Sequence, residues 1–309
     1  MSFIILNITI TISNCMLQCF YVQYDLDTHA NNCYQNYEKV LIKLDKYLEN
    51  PNEDNIHHIR TSLRRLEAAY QSSPKQIRNK KKIRKFVSSG KKLFRINSKI
   101  RDVDIIVKML TNEGKLPERQ IEEFKSNNEY DKQRYLKESR IVALDLRRQI
   151  VPNLYDRKKI DRSFTKKSRK RLLNMVRKLK VKVEKNLPIV IDNENKILVL
   201  HELRKDTKKL RYLIELVTKR DYEKSSKKSI ENEDSDKQLR ENHNRILQQL
   251  EKIQVMLGEI HDYDVTIDYL KQQHVSNNSL FADTIENIMK VRRKRYNEFV
   301  EYNKPTNLD

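Results

Sequence analysis

The segment His57-x-x-Arg60-x-x-x-Arg64-Arg65 returns as His201-x-x-Arg204-x-x-x-Lys208-Lys209 at a constant offset of 144 residues (57 to 201, 64 to 208). A second pair of segments behaves the same way. Ile100-Arg101-Asp102-Val103-Asp104-Ile105 aligns with Ile260-His261-Asp262-Tyr263-Asp264-Val265, now at an offset of 160 (102 to 262). Lys92 with Lys252, Leu93 with Ile253 and Leu110 with Leu270 keep that register. A repeat of this kind sets the architecture, because each half must place equivalent faces equivalently. The change of offset predicts about sixteen extra residues between the motifs of the second half.

Each half is helical by pattern. In 309 residues there are 3 Gly, 6 Pro and no Trp, so breakers are scarce and helix formers abundant. Apolar periodicity predicts helices over 34–48, 53–70, 75–97, 117–150, 157–186, 194–220, 240–257, 262–273 and 279–300. Leu187-Pro188 and Asp192-Asn193 read as the linker between halves, and the polar stretch 221–239 as a mobile insert. No stretch alternates with period two, so the expected class is all-α: two pseudo-symmetric antiparallel helical bundles with a basic channel or cavity between them. The first half spans 33–187 and the second 194–300.

Charge decides what such a molecule meets. There are 64 Lys and Arg against 43 Asp and Glu, a formal net charge of +21. That excess repels itself unless a polyanion or counterions screen it. The excess also falls in stripes. At about 100° per residue, His201, Arg204, Lys208, Arg211 and Tyr212 occupy one arc, opposite Leu200, Leu203, Leu210, Leu213, Ile214 and Val217. His57, Arg60, Arg64 and neighbouring Arg65 repeat the design against Ile56, Ile59, Leu63 and Leu66. From Lys75 to Arg101 there are twelve Lys and Arg and no Asp or Glu, and Lys81, Arg84, Lys85, Lys92, Arg95 and Lys99 share a face. Like charges at i,i+4 destabilise a helix by a few tenths of a kcal/mol per pair. A bound phosphate reverses the sign, each charge-assisted bond contributing about 1.5–3 kcal/mol. The expected binding residues are therefore these cations with Lys252 of the second half.

Asp102, Asp104, Asp262 and Asp264 are expected to cap helices and hold the basic side chains in place; ligation of a divalent metal beside phosphate and acid/base catalysis stand as alternatives. No phosphate-binding loop or other nucleotide signature is present. Cys15, Cys19 and Cys33, all near the N-terminus and odd in number, do not form a disulfide framework and suit a reducing, cytoplasmic setting. Residues 1–32 read as an apolar, disordered extension, too polar for a membrane span.

These elements together resemble the CHAD domain, a family named for its histidines and α-helical fold. The resemblance rests on His57, Arg60, Arg64 and Arg65; on His201, Leu203, Arg204, Lys208, Leu210, Arg211 and Tyr212; on Arg101-Asp102-Val103-Asp104-Ile105; and on Leu257-Gly258-x-x-x-Asp262-x-Asp264-Val265. It extends from about 33 to 300. His261 stands where the family has a basic residue, and Glu67 departs likewise. The resemblance implies non-catalytic binding of inorganic polyphosphate, for targeting or storage, with no cofactor and no metal. The Glu-x-Glu-x-Lys strand motif of the CYTH triphosphatase domain often fused to this family is not found, so a standalone domain is expected. Nucleic acid is the competing partner for the same surface, and a metal-dependent polyphosphate hydrolase the third reading.

Overall fold

A computed structural model describes residues 26–114, 116–149, 162–218, 233–274 and 281–304. Among the described residues the chain is all-α, without strands. In chain order the helices are α1 (Leu26–Glu49), α2 (Glu53–Ser72), the single turn α3 (Lys75–Arg78), α4 (Lys81–Asn112), α5 (Glu118–Arg148), α6 (Arg162–Asp192), α7 (Ile197–Thr218), α8 (Glu233–His274) and α9 (Ala282–Asn303).

The order of packing is the same in both halves. α1 lies on α2, α2 on α4 and α4 on α5; α6 lies on α7, α7 on α8 and α8 on α9. The halves meet through α2 on α7 and α4 on α8, with α1 and α6 closing one side. One continuous core, from Ala30 on α1 to Phe299 on α9, takes residues from both halves. A smaller cluster of Ile106, Leu110, Tyr263, Ile267, Leu270, Ile285 and Ile288 ties the far ends of α4 and α8 to α9. The motif helices α2 and α7 are thus held against each other by apolar burial, at roughly 1.5–3 kcal/mol per fully buried aliphatic side chain.

Local chemistry explains the helix ends. Asn52 caps α2 by accepting from the Asn55 amide at 2.9 Å, and Glu53 and Asp54 complement the N-terminal dipole. Pro74 then stops the helix after Ser73.

Five expectations are corrected. The helix expected over 75–97 ends at Arg78; a new one starts at Lys81 and runs through Arg101-Asp102-Val103-Asp104 to Asn112, because no breaker lies between. The expected linker at Leu187-Pro188 is helix to Asp192: Leu187 and Val190 are buried, and the Tyr296 hydroxyl donates to the Val190 and Ile191 carbonyls at 2.8 and 2.9 Å. The two helices expected around Gly258 are one, α8, since Leu257, Ile260, Tyr263 and Ile267 are buried along it. Helix α1 begins at Leu26, with His29, Ala30 and Asn32 buried, so part of the expected extension belongs to the fold. Of the expected insert, 233–239 is helical; residues 1–25 and 221–232 lie outside the described residues. Among the described residues no helix is long and apolar enough to cross a membrane.

Gly90 marks the closest approach of α2 and α4: a Cβ there would lie 2.9 Å from the Leu63 Cδ2. Gly90→Val is expected to destabilise the protein by about 1–3 kcal/mol through overpacking, read as a lower urea midpoint. An unchanged midpoint would mean that α2 and α4 are not in close contact.

Candidate functional site

The four central helices α2, α4, α7 and α8 bring the two repeats together. Arg60 and Arg64 from α2 face Arg204 and Lys208 from α7, all within electrostatic reach of one another. Asp102 and Arg101 from α4 and Asp262 from α8 join them. The Arg204 Nη2 lies 4.0 Å from an Asp262 oxygen, and Arg60 donates to the Ser98 hydroxyl at 3.3 Å. Phe94 is a shelf for the first half's cations: the guanidinium carbons of Arg64 and Arg60 stand 4.6 and 5.2 Å from its ring centroid. In the second half Gly258 leaves room instead, since a Cβ there would lie 3.8 Å from the Arg204 Nε.

The electrostatics are those of a site short of negative charge. Burial, then Arg204 and Arg64, push Lys208 down to about 6, with Asp262 opposing and Arg60 adding to the shift. Burial and the charge of Arg64 push Arg60 down to about 10, against the pull of Asp102. Burial also lowers Arg204 and Arg64. The Nε atoms of Arg60 and Arg204 are buried without a hydrogen-bond partner among the described residues. These two donors are equivalent between the repeats; the Arg211 Nε, outside the centre, is orphaned as well.

The two carboxylates of each Asp-x-Asp segment do different jobs. Inside a helix, residues two apart point about 200° apart. Asp102 and Asp262 therefore face the centre, where burial raises both against the arginines around them. Asp104 and Asp264 point away from the centre, towards α5 and α9. Asp104 accepts from the Lys132 Nζ of α5 at 2.7 Å. Asp264 accepts from the Arg292 Nε of α9 at 2.5 Å and lies 3.2 Å from the His201 Nε2. Burial would raise Asp264, but hydrogen bonds from His201 and Arg292 hold its carboxyl below the usual carboxylate range. Lys132 and Arg292 are themselves 160 residues apart, so the repeat extends to α5 and α9. The spacing alone carries that signal in the sequence.

Not every expected binding residue reaches the centre. Arg65 is committed to Glu215, at 2.9 and 3.3 Å. Arg211, 6 % exposed, is paired with Glu215 and Glu251 at 3.6 and 2.5 Å. Both stack on Tyr212, which is buried rather than part of an outward stripe, because α1, α2 and α8 cover that face of α7. Arg101 does reach the edge of the centre, but Glu53 also holds it. Lys209 and Lys252 are exposed, the latter over the Tyr302 ring at 4.4 Å. Lys81, Arg84, Lys85, Lys92 and Arg95 line the outer face of α4, outside the central cluster. His57 is exposed at the rim, lowered by burial and by Arg101. His261 stacks on His201 with centroids 4.3 Å apart; burial and Arg204 push it down to about 3. Among the described residues no group of three or more His, Cys, Asp or Glu is arranged to hold a metal ion.

These features define an all-α protein with a two-sided cationic centre built from duplicated helices. The chain matches the CHAD domain over residues 35–271, most of its length, and it belongs to that family. No curated protein matches it.

The outer carboxylates generate a stability prediction. Asp264→Asn removes the nearer counter-charge of the buried Arg292, leaving Glu194 at 3.7 Å, and is expected to cost about 3 kcal/mol in chemical denaturation. Because the folded-state pKa of Asp264 lies below its unfolded value, its contribution is present above the ordinary carboxylate range and fades as pH falls through the depressed value. A variant as stable as wild type at neutral pH would show that the pair contributes nothing net.

Proposed function

We propose that this protein binds inorganic polyphosphate at the centre formed by α2, α4, α7 and α8, as a targeting or storage module that leaves the polymer intact. The observation that carries the reading is Lys208. It sits among Arg60, Arg64 and Arg204 with Asp262 as its counter-charge, at a pKa near 6 instead of 10.5. A row of anhydride-linked phosphates supplies the missing negative charge and acceptors for the orphaned Nε atoms of Arg60 and Arg204. Arginine suits this role because its donors form a fork that matches two phosphate oxygens.

The residues of the centre and its supports have separate tasks. Arg60 and Arg204 grip from opposite sides. Phe94 orients Arg60 and Arg64. Asp102 and Asp262 keep the guanidinia apart and in plane. His201, Asp264 and Arg292 anchor the α7–α8–α9 corner. Nucleic acid is the second reading. Against it, Phe94 in the centre is covered by the guanidinia of Arg60 and Arg64, and Tyr212 beyond it is buried under those of Arg65 and Arg211, so neither is available to stack on bases.

Arg60→Glu with Arg204→Glu is expected to abolish polyphosphate binding at about 150 mM salt, since each lost charge-assisted contact alone is worth about ten- to a hundredfold. Equal affinity of wild type and double variant contradicts the proposal, as does RNA that displaces polyphosphate at equal phosphate concentration. Product analysis of the same samples tests the non-catalytic claim.

Lys208 supplies a second prediction. Its folded pKa lies below its unfolded one, so the empty protein loses stability as pH falls from about 10.5 towards 6, and binding draws in a proton. Lys208→Met is expected to stabilise the empty protein by about 0.5–2 kcal/mol at pH 7 while weakening polyphosphate binding. Wild-type affinity should rise from pH 8 to pH 6. A destabilised variant, or affinity flat across that range, contradicts this.

A further inference from the structure

The outer faces of α4 and α8 are equivalent in register and opposite in character. On α4, taking about 100° per residue, Arg84, Lys91 and Arg95 fall within roughly 20° of Asp102. Lys81, Lys92 and Lys99 flank that line on one side. The row starts at the N-terminus of α4 and reaches Asp102, hence the centre, after about 27 Å. Lys81, Arg84, Lys92, Arg95 and Lys99 are exposed. Lys91 is held by Glu67 at 2.8 Å. Among the described residues no carboxylate pairs with Lys81, Arg84, Lys92 or Arg95.

On α8 the 160-residue register puts Asn244, Glu251 and Val255 in place of Arg84, Lys91 and Arg95. Glu241 and Glu259 take the places of Lys81 and Lys99. All five are exposed as well. Residues 75–101 hold twelve Lys and Arg and no acid. The equivalent stretch 235–261 holds four of each: Lys237, Arg240, Arg245 and Lys252 against Asp236, Glu241, Glu251 and Glu259. Both helices run unbroken through the register, so the difference is in side chains and not in fold. The core does not require it either, since the buried positions match: Leu93 with Ile253, Ile100 with Ile260, Leu110 with Leu270.

We propose that a long polyanion held at the centre leaves it in one direction, along the outer face of α4, and that the outer face of α8 is closed to it. The proposal rests on the reading of the centre as a polyphosphate site. It adds a second binding segment that only chains longer than the centre reach, and it gives a nearly symmetric site a polarity. Cations recurring every one to two turns, about 5–10 Å apart, suit a flexible chain of phosphates running along the helix. On α8, Glu241 repels the same chain, Glu251 and Glu259 are paired with Arg211 and Arg295 at 2.5 and 3.6 Å, and of the positions equivalent to the α4 row Lys252 alone keeps a cation.

The test compares tripolyphosphate with long-chain inorganic polyphosphate by calorimetry on the full chain. The track variant is Lys81→Glu, Arg84→Glu and Arg95→Glu. The control, Lys166→Glu, Lys167→Glu and Lys170→Glu on exposed positions of α6, makes the same change in net charge away from the track. The track variant is expected to lose about tenfold or more for the long chain and less than about twofold for tripolyphosphate, with the control close to wild type for both. A gain-of-function variant checks the other helix without risk to α4. Glu241→Lys, Gln248→Lys and Val255→Lys should strengthen long-chain binding and leave tripolyphosphate unchanged.

Equal losses in track and control variants, or equal losses for both ligands, overturn the proposal. Wild type that binds neither ligand would overturn the reading of the centre instead, so the two failures are distinguishable.

Discussion

Repulsion among Arg60, Arg64, Arg204 and Lys208 is the interaction around which the molecule is arranged. Two unit charges 4 Å apart cost about 4 kcal/mol at an effective dielectric constant of 20, and here three guanidinia share one centre with Lys208, which burial and their charge leave largely neutral at pH 7. The opposing contribution is apolar. Ile56, Ile59, Leu63 and Leu66 on α2 and Leu200, Leu203, Leu210 and Leu213 on α7 are all buried in one core. At about 1.5–3 kcal/mol each, a few of them offset the repulsion. The cations are forced together by the packing of the faces behind them, and the strain shows in Lys208, which gives up its proton more readily than any solvated lysine would.

The acidic residues divide into two groups by helical phase alone. Asp102 and Asp262 moderate the centre, while Asp104 and Asp264 fasten α5 and α9 to α4 and α8. An Asp-x-Asp segment in a loop would have offered both carboxylates to one ligand; inside a helix it cannot. This is the physical reason that neither Asp-x-Asp segment presents its two carboxylates together: each pair is split, and each inward carboxylate is surrounded by guanidinia.

Much of this arrangement was legible in the sequence. Period 3.6 and the scarcity of breakers give helices, the 144-residue offset pairs α2 with α7, and the 160-residue offset pairs α4 with α8. What the sequence concealed has specific causes. Pro188 and Gly258 look like ends of helices, but burial of Leu187, Val190, Leu257 and Ile260 carries the helices through both. Arg65, Arg211 and Tyr212 look like members of an outward stripe, but the partners that occupy them, Glu215 and Glu251, lie 4 to 150 residues away in sequence. Phe94 and Ser98 carry no charge and lie outside both motifs, so only their contact with Arg60 marks them. Lys132 and Arg292 were findable, because they keep the 160-residue register of the aspartates they hold.

The central claim is that Arg60 and Arg204, one from each repeat, grip the same anion. The most direct measurement is the nitrogen-15 spectrum of the arginine Nε–H groups, assigned by single Arg→Lys variants, during titration with defined-length polyphosphate. The prediction is that the Arg60 and Arg204 signals shift together, along one saturation curve, before those of Arg293 and other exposed arginines. Signals that shift only at the surface, with Arg60 and Arg204 unmoved at saturation, would contradict it.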